Sequence, residues 1–267
     1  MAQYRRDRHE YLANGNTIFE VVMLADQDGN PINTFGPASN IPIANGSVQG
    51  YSTVHKFGRS PALPNGSEAT VWDVGNTYPW DAWSAGANNV FLRSSNTDNT
   101  TVFIQGLDAN SELQSETITI NGTGGVQSNN TYTRLFRMYN SGANSISGNV
   151  TAHYASNTGT TVAQITGSFN QTLMAVYTIP SGKTGFLSKA QGSSPKNAEL
   201  DFRLYFRNSG SVFRVQHTGA AYGGVYSYDW SVPLVLPAGT DIDFRGQAST
   251  GGVAASAQFD LILVDTG

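Results

Sequence analysis

Apolar and polar residues alternate through most of this chain, and helical periodicity is almost absent. "AELDFRLYF" (198–206) sets Ala198, Leu200, Phe202, Leu204 and Phe206 on one side, with Glu199, Asp201, Arg203 and Tyr205 on the other. Successive strand residues point to opposite faces, so this pattern predicts a half-buried β-strand. "AQFDLILVD" (257–265) repeats it with Ala257, Phe259, Leu261 and Leu263 inward, and "TDIDFRG" (240–246) with Ile242 and Phe244 inward. "TLMAVYTI" (172–179) is apolar on both sides and predicts a strand covered on both. Further strands are predicted at 100–106, 115–122, 132–139 and 148–155, separated by turn clusters such as "LDANSE" and "NGTGGVQSNN". Short strands at this spacing predict an all-β chain of sandwich or jelly-roll domains.

The first fifty residues read differently. "NTIFEVVMLADQDGNPINTF" (16–35) predicts a hairpin, with Asp28-Gly29 in a tight turn that needs positive φ and Pro31 confining the returning strand to an edge. Its apolar residues Ile18, Phe19, Val21, Val22, Met23 and Leu24 need cover. They are the candidate partner-docking residues, because an extended arm can add a strand to a neighbour's sheet edge. "FGPASNIPIANG" (35–46) reads as an extended connector. The expected organisation is a docking arm at 1–50, a first β-sandwich at 51–166 and a second, jelly-roll-like sandwich at 167–267. Within the last, "YTIPSGKTGFL" and "LVLPAGTDIDF" share a strand–turn–strand pattern. Pro180 and Pro237 preset φ in these turns, and Gly182 and Gly239 supply permissive backbone.

Composition narrows the function. Only 13% of residues are charged, against about 25% in ordinary soluble domains. The net charge of −4 argues against a nucleic-acid binder, which would carry a basic stripe. The cluster Arg5, Arg6 and Arg8 is offset by Asp7 and Glu10 and reads as a solvated arm. There is no cysteine, which excludes disulfides and thiolate metal sites and suits folding in a reducing cytoplasm. The N-terminus lacks the apolar segment of a secretory signal, and no run approaches the ~18 apolar residues of a membrane span. The N-x-S/T sequons are therefore read as a by-product of Asn, Ser and Thr richness.

Candidate chemistry is sparse. His9, His55, His153 and His217 form no metal-binding spacing, and "DQDGN" (26–30) carries its glycine too early for a calcium loop, so no metal or cofactor is expected. Glu112 and Glu116 face the same way on an extended segment. Their Cα atoms would stand about 13 Å apart, beyond the roughly 5–9.5 Å that glycosidases use between carboxyl groups. No nucleophile elbow or Walker loop is present, and no catalytic residue is assigned.

The densest feature is "TVWDVGNTYPWDAW" (70–83), with three of the four tryptophans. Trp72, Tyr78, Trp80 and Trp83 could grip a glycan beside Asp73, Asn76 and Asp81, could meet a neighbouring subunit, or could plug a sheet end. Burying such a ring contributes ~2–3 kcal/mol by area. Large bare aromatics without a partner are uncommon, which favours the plug.

Long blocks carry a resemblance. "NTIFEVVMLADQDGNPINTFG", "GYSTVHKFGRSPAL", "VWDVGNTYPW", "IQGLDANSELQSETITING", "TYTRLFRMY", "QTLMAVYTIPSGKTGFLSKA" and "SVPLVLPAGTDIDFRGQAS" with "AQFDLILVD" resemble virion structural proteins of tailed phages infecting marine cyanobacteria. The resemblance covers nearly the whole chain in order. It implies a non-enzymatic particle protein, a capsid-surface decoration or spike subunit, or alternatively one on the collar or tail. It would be assembled in the host cytoplasm and partnered by the major capsid protein or other virion proteins. A homo-oligomer is expected, a trimer being the default for jelly-roll particle proteins.

Overall fold

The computed structural model describes residues 40–195 and 198–266. Their strands, in chain order, are β1 (Tyr51–Leu63), β2 (Ala69–Thr70), β3 (Val90–Ser94), β4 (Thr101–Leu107), β5 (Leu113–Thr119), β6 (Val126–Gln127), β7 (Arg134–Asn140) and β8 (Val150–Tyr154). They continue with β9 (Thr161–Ile165), β10 (Val176–Thr178), β11 (Lys183–Ser193), β12 (Glu199–Arg207), β13 (Arg214–Tyr222), β14 (Val225–Leu236), β15 (Asp241–Ala248) and β16 (Val253–Asp265). The helical pieces are α1 (Asn40–Ala44) and a 3-10 turn at Trp80–Ala85.

The strands make four antiparallel sheets. Sheet I has the order β1-β16-β11-β14, and sheet II the order β10-β15-β12-β13 with β2 added on β15. Sheet III runs β6-β3-β8-β9 and sheet IV runs β5-β4-β7. The alternation read from the sequence sorts residues between core and surface as expected. Leu200, Phe202 and Leu204 of β12 face Phe259, Leu261 and Leu263 of β16 in one hydrophobic core between sheets I and II. Val90 and Leu92 of β3 join Val102, Ile104 and Met138 of sheet IV in a second core. The all-β, sandwich-like expectation holds.

The segment around β10 serves both cores. Met174 and Val176 lie in the second, while Ala175, Tyr177 and Ile179 lie in the first. A strand with one core on each side is apolar at every position, which is why "TLMAVYTI" shows no alternation. Both Pro–Gly turns form, with Gly182 at φ 70° and Gly239 at φ 76°.

The division at 51–166 and 167–267 is crossed by β1 and β2, which pair with β16 and β15 of the C-terminal half. Residues 53–267 cluster as one unit. Of the other unit, residues 1–52, the described part is α1, the turns that follow it and the opening of β1. The connector read as extended contains α1: Asn45 N–H bonds the Ile41 carbonyl at 3.0 Å. Pro42 is tolerated there because first-turn N–H groups have no helical partner to lose. The hairpin predicted at 16–35, with Ile18, Phe19, Val21, Val22, Met23 and Leu24, lies outside the described residues.

One loop clamp is built on a single acid. The Asp98 carboxylate accepts from Ser94 Oγ at 2.6 Å, Ser147 N at 2.9 Å, Ser147 Oγ at 2.7 Å and Gly148 N at 2.9 Å, tying the β3–β4 loop to the segment before β8. Partial burial pushes its carboxyl up, and these donors more than reverse that, bringing it down to about 2. A depressed carboxyl stabilises the fold above its unfolded value of 3.8 and loses that contribution as pH falls toward 2. Asp98→Ala is expected to cost about 1–2 kcal/mol at neutral pH, given solvent screening. Urea titrations should show the variant and the parent converging as pH drops from 4 to 2.

Candidate functional site

The tryptophan segment forms the seam where the sheets of 90–165 meet sheet II. Trp72, Tyr78, Trp80 and Trp83 are only 2, 2, 6 and 4% exposed. Edge-to-face contacts link Trp72 to Tyr78 at 5.1 Å and Tyr78 to Trp80 at 4.7 Å between ring centroids, and Trp83 meets Tyr154 the same way. Every ring polar atom is used. Trp72 Nε1 donates to the Gly75 carbonyl at 2.7 Å, Tyr78 Oη to the Leu135 carbonyl at 3.0 Å, and Trp83 Nε1 to Tyr78 Oη at 3.3 Å.

Trp80 is the centre of an ionic network. Its Nε1 donates to Asp243 at 2.9 Å, and Asp243 also accepts from Thr70 Oγ1 at 2.7 Å and Arg245 Nε at 2.8 Å. Burial raises the Asp243 carboxyl, and the Arg245 guanidinium and the two neutral donors oppose that rise. Beside it, Asp241 accepts from Arg134 of β7 and Arg207 of β12 at 2.9 and 2.7 Å, and from Thr178 Oγ1 at 2.6 Å. The Arg134 and Arg207 guanidinia lie 5.6 and 5.5 Å from the Trp80 ring, and Phe213 covers Arg207 at 4.4 Å. Aspartates 241 and 243 point away from the first core because Ile242 and Phe244, at alternate positions, point into it. The tetrad thus cements the seam, and neither a sugar nor a neighbouring subunit reaches its ring faces without opening the fold.

Other candidate groups are also committed. Glu116 accepts from the backbone N–H of Asn129 and Asn130 and from Tyr132 Oη at 2.9, 3.1 and 3.0 Å, which makes it a loop anchor. His153 is buried, bonded to Thr151 Oγ1 and to the Gly159 carbonyl, each at 2.9 Å. Among the described residues, no cluster of three His, Cys, Asp or Glu side chains could hold a metal ion. None of the described helices is long and apolar enough to cross a membrane.

The exposed feature lies where no candidate was assigned. β13 and β14 are the free edges of sheets II and I, joined directly through Gly223-Gly224. Between them stands an aromatic stack: His217 lies 4.5 Å from Tyr228 and 5.0 Å from Trp230, and Tyr228 lies 4.9 Å from Trp230. Tyr226 bonds His217 Nε2, and its ring fills the space that a Cβ on Gly219 would need. Burial pushes the His217 imidazole below its usual value, which favours the neutral acceptor form.

Outside the stack, exposed apolar side chains stand on both flanks of the arch, interspersed with polar ones such as Thr218, Ser227 and Asp229. Val215 and Tyr222 stand on the outer side of sheet II, opposite Tyr205 and Glu199. Val225 and Val235 stand on the outer side of sheet I, opposite Ser193 and Phe186. Val232 is 77% and Tyr222 71% exposed. Seven of the eleven exposed large apolar side chains among the described residues fall in 212–235, so the exposure is concentrated here. The β14 edge is not smooth. Trp230 to Pro233 stand opposite Ser188 alone in a broad bulge, and a bulge with a proline blocks continuous strand addition. Side-chain packing would therefore carry a contact at this edge. One signal for the arch is present in the sequence: Tyr226, Tyr228 and Trp230 recur every second residue, placing an aromatic row on one strand face.

No protein-family model and no curated protein matches the chain. Solved structures give loose superpositions. One is the PBSX exported protein XepA, at 6% identity and TM-score 0.19 over 92% of this chain and 100% of that one. Another is a structure of infectious bursal disease virus, Gt strain, at 12% and 0.22 over 87% and 78%. A third is the VP2 subviral particle of infectious bursal disease virus, at 11% and 0.21 over 86% and 78%. At such scores these superpositions bear on neither function nor partners.

Proposed function

We propose that the chain is a non-enzymatic structural subunit of a phage particle, and that a second copy of the chain seats against the β13–β14 arch. The observation that carries this is the concentration of exposed apolar side chains on that arch, on both of its flanks. Exposed apolar side chains on opposite sides of a strand pair are all covered only when the pair lies between neighbours, as a cyclic homo-oligomer provides. The block resemblance to virion proteins of tailed phages supports the particle setting. It favours a capsid-surface decoration or spike role, with residues 1–50 as the attachment to the shell. The buried tetrad removes the support that a Trp72–Trp83 glycan platform would need.

Particles purified on a density gradient are expected to contain the chain in a fixed ratio to the shell protein, read by quantitative mass spectrometry. Recovery only from the unassembled fraction overturns the reading. For the arch, light scattering should show an oligomer that Val232→Glu with Val235→Glu converts to monomer, with unchanged circular dichroism. A parent chain that is already monomeric at high concentration defeats the self-contact.

A further inference from the structure

A concave groove of 470 Å³ lies on sheet III, on the opposite face of β3 from Val90 and Leu92. Each residue that lines it bears a polar side chain, with methyl and methylene groups between the polar atoms. Arg93 projects from β3 with Thr151 directly across on β8, and Ser95, Thr123, Asn149 and Gln164 complete the rim. No carboxylate lines it. The nearest acid along the chain, Asp98, has its oxygens occupied by Ser94, Ser147 and Gly148.

Three of the eight described arginines, Arg93, Arg137 and Arg214, have no acid partner, and Arg93 is the one that lines this groove. Five of the chain's described arginines, Arg59, Arg134, Arg203, Arg207 and Arg245, pair with an acid. Arg93 is half-buried, and its guanidinium makes no ion pair or hydrogen bond among the described residues. A guanidinium presents a planar fork of donors that matches an oxyanion in bidentate fashion. Around it stand hydroxyl and amide groups, bonded within the protein (Thr151 to His153, Asn149 to Gly167, Gln164 to Thr166) and keeping donor or acceptor capacity for a polyol. His153 forms a fixed wall, since its ring nitrogens are already bonded to Thr151 and to the Gly159 carbonyl of the β8–β9 turn. The volume suits one or two sugar rings, at the low end of the ~300–1,000 Å³ range of small-ligand sites.

We infer that this groove binds an anionic saccharide, a sugar bearing a sulfate or carboxylate that Arg93 grips while Thr151, Asn149 and Gln164 bond its hydroxyls. The site is separate from the β13–β14 arch and does not depend on the particle role: an enzyme, a virion subunit or a free lectin could carry it.

The test is calorimetry on the full chain with galactose 6-sulfate, galacturonate, galactose and inorganic sulfate. At least one acidic sugar is expected to bind more tightly than both galactose and inorganic sulfate. Arg93→Gln should weaken that binding about tenfold or more. Gln164→Ala, which removes a half-buried uncharged amide, should weaken it less, and it serves as the second variant should Arg93→Gln fold poorly. Sulfate binding as tightly as the sulfated sugar would show a bare anion site and overturn the saccharide assignment. Binding of no probe at millimolar concentration, or equal binding by the parent and both variants, overturns the site.

Discussion

Asp243→Ala is expected to be among the most destabilising single substitutions in this protein, costing about 3–5 kcal/mol. Asp243 is fully buried and is the shared acceptor for Trp80, Thr70 and Arg245. Removing it strands an indole N–H and leaves the largely buried Arg245 without its partner. The penalty comes chiefly from that unpaired charge and not from the lost attraction, since a well-packed buried ion pair is close to neutral against an apolar substitute. Two companions separate the terms. Asp243→Asn keeps an acceptor and should lose less. Trp80→Phe should lose the N–H while keeping most of the ring, and the double variant Asp243→Ala with Trp80→Phe should cost less than the sum of the singles. Equilibrium urea unfolding reads all of these. A loss below about 1 kcal/mol for Asp243→Ala would mean that water enters the seam and solvates Arg245.

The second large effect is one of pH. Lys56 on β1 is buried, with its Nζ on the Phe136 carbonyl and 6.0 Å from the Phe136 ring. Burial first, and the nearby Arg137 charge second, lower its ammonium from 10.5 to about 7. Between those values the unfolded chain holds a proton that the folded chain has released, so stability rises with pH across that window and levels off above it. The slope can approach about 1.4 kcal/mol per pH unit. Lys56→Met fills the same volume without the charge. It is expected to be more stable than the parent near pH 7 and to lose the rise between pH 7 and 10. Denaturant midpoints taken across that range decide it: parallel curves for parent and variant would show that Lys56 stays charged through a water path to its Nζ.

Much of the fold was legible because each sandwich layer imposes a period of two. The strands at 198–206, 240–246 and 257–265 read clearly because one face of each meets a core. Even "TLMAVYTI", where alternation vanishes, announced its position between two apolar bodies. The seam tetrad was legible as a plug from the size of its rings. Its partners were not, since Asp241, Asp243 and Arg134 lie far away in sequence and only tertiary folding brings them to Trp80.

β13 and all of β14 before "LVLPAGTDIDF" carry no strand prediction, for a physical reason. They are edge strands with solvent on much of both flanks, so apart from the row of Tyr226, Tyr228 and Trp230 the alternation that marks a buried face is weak. Valines stand outward where serines and aspartates would be ordinary. A surface that conflicts with the usual pattern is the kind of place where function overrides foldability. Local patterning marks strands but not the sheet they join, and β1 crosses back to pair with β16.

Because neighbouring residues of 174–179 are dealt alternately to the two hydrophobic interiors, the halves of this chain are not interchangeable modules. A recombination joint placed near residue 166 would hand one descendant a lid without its box and the other a box without its lid. Lineages that swap parts at this locus would then have to exchange everything from β1 to β16 together, and tolerate novelty only at the loops and the exposed arch.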